Sequence, residues 1–93
     1  MNELPNASNL LKPILLALRN LGGSGTVEQI DKEVKRILDI PESLSSIIRM
    51  GNRTELSYRL SWARTKGRNL GFLDRTTFKV WSLTDKGNLE ISK

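Results

Sequence analysis

Apolar residues recur at three- and four-residue spacing in three separate stretches before Gly71, and after Gly71 the chain turns to β-branched and aromatic residues. These two observations predict an α+β fold: three main helices, with room for one extra short turn, followed by a two-stranded β-hairpin. Ninety-three residues suit one domain, 1–93, whose core can stand alone with little stability to spare.

The first helix is read from Leu10, Leu11, Ile14, Leu15, Leu18 and Leu21, capped by Ser8 or Asn9, with Pro13 early enough that its missing N–H costs little. Gly22-Gly23-Ser24-Gly25 ends it as a connector. Thr26 and Gln29 form a capping box for a second helix over about Val27 to Leu38, whose apolar face is Ile30, Val34, Ile37 and Leu38. Pro41 opens a short helical turn through Leu44, Ile47 and Ile48, and Met50-Gly51-Asn52 interrupts it. Asn52 or Thr54 caps the third helix, where Leu56, Leu60, Ala63, Gly67 and Leu70 project to one side until Gly71 stops it. Phe72 to Arg75 and Phe78 to Leu83 are the strands of a hairpin with its tip at Thr76-Thr77, and Trp81 and Leu83 share the face turned to the helices. Thr84 caps a last short segment. Three helices with a hairpin directly behind the third is the order of a winged helix-turn-helix.

Charge singles out the same region. Between Arg49 and Trp81 lie eight basic residues and two acidic ones, whereas the remainder of the chain is close to neutral. A positive balance confined to one third of a sequence reads as a surface facing a polyanion. The absence of cysteine excludes disulfides and thiolate chemistry, and the absence of histidine removes the usual general base and zinc ligand. No cofactor, metal or small-molecule substrate is expected. No apolar run approaches the roughly 20 residues of a membrane span, and no signal segment opens the chain, so the expectation is a cytoplasmic protein without membrane contact.

The side of the third helix opposite the apolar stripe carries Ser57, Tyr58, Ser61, Arg64, Thr65 and Arg68. Arginine can grip guanine or phosphate, and hydroxyls can bond phosphates or base edges. Arg53 before the helix and Arg75, Thr76, Thr77 and Lys79 on the hairpin extend this set into a DNA-binding surface. Arg59 projects near the buried side and is expected to fix the helix, and Trp62 and Trp81 are expected to anchor the core. Two motifs carry no chemistry. Glu33 and Lys35, which spell the E-x-K of metal-dependent nucleases, stand about 200° apart on a helix, and the glycine run lacks the Gly-Lys-Ser/Thr of a phosphate loop.

Three segments, Tyr58 to Thr65, Leu70-Gly71-Phe72-Leu73 and Val80 to Gly87, together with Leu11 to Leu18, resemble the amino-terminal winged-helix domain of the Mrr family of modification-dependent restriction endonucleases. The resemblance implies a domain that binds DNA and delivers it to a nuclease domain, for which this chain has no room. The sequence departs from that pattern at Gly67, where a leucine usually continues the stripe, and at Lys79, where a glycine usually shapes the wing. Non-catalytic binding of double-stranded DNA is therefore expected, in a restriction-related or transcription-regulating module, with Met1 and the final residues suggesting a standalone protein and a homodimer open. The alternative is a protein-contact module that docks an acidic partner or self-associates.

Overall fold

A computed structural model describes residues 3–93. Helix α1 (Ala7–Asn20) is capped by Asn6, two residues ahead of Ser8 and three ahead of Asn9, the caps assigned from sequence, because Asn6 Oδ1 accepts from the Asn9 N–H at 2.9 Å. Pro13 falls in its second turn and is buried. The connector after α1 contains a strand, β1 (Ser24–Thr26), which the reading of a plain connector omits. Helix α2 (Val27–Leu38) has the predicted bounds, and both capping-box bonds between Thr26 and Gln29 are made.

Between α2 and the next long helix, Pro41 leads a single turn, α3 (Glu42–Ser45). Ile48, placed from sequence at the end of that turn, instead lies in β2 (Ile48–Met50), which pairs with β3 (Arg53–Thr54). Helix α4 (Glu55–Asn69) follows, capped by Thr54. Strands β4 (Leu73–Thr77) and β5 (Val80–Leu83) make the hairpin, and α5 (Asp85–Ile91) closes the chain. The hairpin turns at Phe78-Lys79, not at Thr76-Thr77, and Lys79 takes the left-handed backbone there with φ 63°. The register shifts between Arg75 and Thr77, so Thr76 has no partner across the ladder.

The main sheet runs β1-β5-β4, all antiparallel, with Gly25 opposite Trp81 and Trp81 opposite Arg75. A strand between the first two helices thus flanks the hairpin that follows the last long helix, and the arrangement is a winged helix. Leu10, Ile14, Leu15 and Leu18 of α1, Ile30 and Val34 of α2, and Leu56, Leu60 and Ala63 of α4 form the buried centre, against which Leu73 and Trp81 of the sheet pack. Each helix contributes the apolar stripe that its periodicity marks, except that Leu70, read as the end of the α4 stripe, falls at the C-cap beyond the helix and is exposed; burial of those stripes is the main source of stability.

The base of the hairpin is fixed to α5. Thr84 Oγ1 accepts from the Gly87 N–H at 3.0 Å and donates to the Gly71 carbonyl at 2.6 Å, while the Thr84 N–H donates to the Phe72 carbonyl at 3.1 Å. Gly87 packs so closely on the Phe72 carbonyl that a side chain there would overlap backbone.

Candidate nucleic-acid interface

Helix α4 is positioned from both ends and from one face. The Thr54 hydroxyl accepts from the Ser57 N–H at 3.1 Å, Glu55 lies in the first turn, and Lys66 and Arg68 occupy the last, an arrangement that complements the helix dipole. Its inner face is Leu56, Leu60, Ala63 and Gly67. A Cβ on Gly67 would stand 2.8 Å from Leu11 Cδ1 and 2.9 Å from Leu73 Cδ1, so the missing side chain draws α4 tight against α1 and β4. Arg59 holds the chain ahead of α1, donating to the carbonyls of Leu4 at 2.9 Å and Pro5 at 3.2 Å and to Glu55 at 2.8 Å. This is the fixing role its position implied.

Arg64 is the departure from the sequence reading. It was placed among the outward residues, yet it is 6 % exposed, and its Nη1 donates to Asp31 Oδ1 of α2 at 2.9 Å. The cause is its projection four residues after Leu60, at the border of the apolar stripe, where an acid across the helix pair draws the guanidinium inward. Burial pushes the Asp31 carboxyl up to about 6, and Arg64 and Lys35 offset only part of that. Burial also lowers the Arg64 pKa, against the pull of Asp31.

The other sequence-derived residues reach the surface. Arg53, Thr65 and Arg68 are exposed around α4, and Arg75, Thr76, Thr77 and Lys79 are exposed on the hairpin. Ser57, Tyr58 and Ser61 are half-buried, and the Thr65 hydroxyl donates to the Ser61 carbonyl at 3.2 Å. Among the described residues, Arg53, Arg68, Arg75 and Lys79 make no ion pair, whereas Arg49 and Arg59 share Glu55 and Arg64 is committed to Asp31. Lys66, exposed as well, reaches only the Ser8 hydroxyl at 3.3 Å, so five of the eight cations in this stretch satisfy no acid. The two bonds from Arg59 and Arg49 hold the Glu55 carboxyl below its ordinary range.

Several neighbours of this surface escaped the sequence reading. Trp62 is 56 % exposed and edge-on to Tyr58, with ring centroids 6.4 Å apart, so only Trp81 of the two tryptophans anchors the core. The Arg49 guanidinium lies 3.6 Å from the centre of the Tyr58 ring. Phe78, read as a strand residue, stands at the hairpin tip. A groove of about 400 Å³ between α2 and the start of α4 brings Lys32 and Lys35, with the acids Glu28 and Asp31, beside Arg53 and Ser57. The sequence signal for Lys32 and Lys35 was their i, i+3 spacing on α2, which puts both on one side of that helix.

Glu33, the acid of the E-x-K letters, accepts from Arg36 and Asn20, which hold its carboxyl down to about 2. Among the described residues no helix is long and apolar enough to cross a membrane. Neither a curated protein nor a solved structure matches the chain. The family model of the Mrr N-terminal domain matches residues 8–91. That span runs from the first turn of α1 to the end of α5 and takes in every element of the winged helix, and the chain accordingly belongs to the Mrr N-terminal domain family.

Proposed function

We propose that the chain is a non-catalytic binder of double-stranded DNA in a restriction-related setting, with α4 in the major groove and the β4–β5 hairpin on the adjoining backbone. The observation that carries this reading is a set of four unpaired, exposed cations, Arg53 and Arg68 at the ends of α4 and Arg75 and Lys79 on the hairpin. Cations that satisfy no internal acid are free to displace counterions from phosphate. Ser57, Tyr58, Ser61 and Thr65 lie between Arg53 and Arg68 along α4 and supply hydroxyls for phosphate or base edges. Arg64 has no part in the contact; it sets how α4 sits on α2.

Anisotropy of a labelled random duplex, titrated at several salt concentrations, tests the reading. Four phosphate contacts give a log–log slope of about −3 to −4, and replacing Arg68 with alanine reduces its magnitude by about one. Absence of duplex binding at low salt, or a slope that none of the four cations alters, overturns it.

A second reading rests on β2, where Ile48 and Met50 are exposed, Met50 by 78 %. An apolar strand with an open edge is a surface for a second copy or another protein. Concentration-dependent sedimentation that Met50→Glu abolishes, in a protein indifferent to DNA, favours this reading over the first.

A further inference from the structure

Phe78 is 76 % exposed at the two-residue turn of the hairpin and packs against no part of the hydrophobic core. Turn chemistry does not account for it, because two-residue hairpin loops favour glycine and asparagine, and the next residue, Lys79, has a left-handed backbone that glycine would take without strain. A bulky ring and a long cation therefore occupy the two tip positions where small residues fit best. The Lys79 ammonium is 5.3 Å and the Arg75 guanidinium 5.7 Å from the ring centre, and neither forms an ion pair. The tip thus carries an exposed apolar ring beside two free positive charges.

Resting on the duplex-binding reading above, we propose that Phe78 enters the minor groove and inserts between adjacent base pairs, while Arg75 and Lys79 hold the phosphates on either side. The charge at the tip fits a polyanion. The minor groove, about 6 Å wide, admits a single side chain more readily than a whole β-ribbon. Apolar side chains used in this way unstack one base step and kink the duplex toward the major groove, which in a winged helix is the side that α4 occupies. The kink turns the duplex around the protein and extends its contact with α4.

The experiment uses the full chain with a duplex carrying 2-aminopurine in its central steps and a donor–acceptor pair at its ends. Wild type is expected to raise 2-aminopurine fluorescence and shorten the end-to-end distance. Phe78→Ala is expected to bind with the same salt slope but to lose both signals, Phe78→Leu to keep them, and Lys79→Ala to keep the kink with a slope reduced by about one. Phe78→Ala that unstacks and bends like wild type overturns the wedge, as does wild type that binds without either signal. In both cases duplex binding itself stands. If wild type does not bind duplex at all, the functional reading fails and the wedge fails with it. Because Phe78 is exposed, its variants are expected to melt like wild type, which separates these outcomes from misfolding.

Discussion

Arg64 and Asp31 stand 33 positions apart in sequence and meet at 2.9 Å, tying the middle of α4 to α2 across the helix-turn-helix. Burial raises Asp31 further than Arg64 lowers it, so the pair contributes little net stability and acts mainly on geometry. Arg64→Met leaves a buried carboxylate without its cation and is expected to destabilise the fold by about 3 kcal/mol at pH 8. The loss shrinks near pH 5, where Asp31 is protonated. Replacing both residues, Arg64→Met with Asp31→Leu, is expected to restore most of the stability, because an apolar pair avoids the desolvation of both charges. Urea unfolding of the three variants at two pH values checks this.

The same carboxyl gives the fold a pH dependence with a definite sign. Its folded pKa of about 6 exceeds the ordinary 3.8, so folding takes up a proton between these values. The associated stability is fully present below about pH 4 and is lost as pH rises through about 6, by up to about 3 kcal/mol. Glu33 works in the opposite sense: its contribution is present above its ordinary value of 4.5 and is lost as pH falls toward about 2. Stability is therefore expected to decline between pH 4 and pH 7 in wild type and not in Asp31→Asn, which keeps an acceptor for Arg64 but has no proton to exchange.

Two glycines are expected to resist substitution to different degrees. Gly67→Ala gains helix propensity but presses on Leu11 and Leu73, and the balance is a net loss of about 1 kcal/mol. Gly87→Ala meets the Phe72 carbonyl, which belongs to backbone and cannot rotate away, so the base of the hairpin must shift and the loss is expected to exceed about 3 kcal/mol. Thermal melts rank the two.

Lys79→Gly separates the two properties of the hairpin tip. Glycine takes the left-handed conformation without strain, so the variant is expected to be about 1 kcal/mol more stable. It also has one cation fewer, and its salt slope for duplex binding is expected to fall by about one. A variant that gains stability and keeps the full slope would remove Lys79 from the DNA contact.

What sequence makes legible here follows from the range of the interactions. Helix α2 was readable to its ends because the Thr26 and Gln29 bonds lie within one turn. Strand β1 was not, since Ser24-Gly25-Thr26 has no side-chain pattern and becomes a strand only through β5, with Gly25 paired to Trp81. Strand β2 was lost for a similar reason, as Ile47 and Ile48 extend a plausible helical spacing from Leu44 and only pairing with β3 reveals the strand. Arg64 was misplaced because arginine is ordinarily a surface residue and its partner lies on another helix. The position of Trp62 could have been read correctly, because it lies opposite Leu60 when residues are stepped along α4, and the usual preference of tryptophan for the interior outweighed that geometry. The concentration of positive charge between Arg49 and Trp81, by contrast, shows in a count along the chain, whereas which of those cations lack an acid depends on contacts between distant elements.

The central position of β5 between β1 and β4 also has a temporal consequence. On a ribosome, β1 is made early and must wait for residues 80–83 to emerge before its backbone groups find their partners. The three long helices are synthesised before then, so the sheet is completed only after all of them, and the base of the ribbon is held only once α5 has followed.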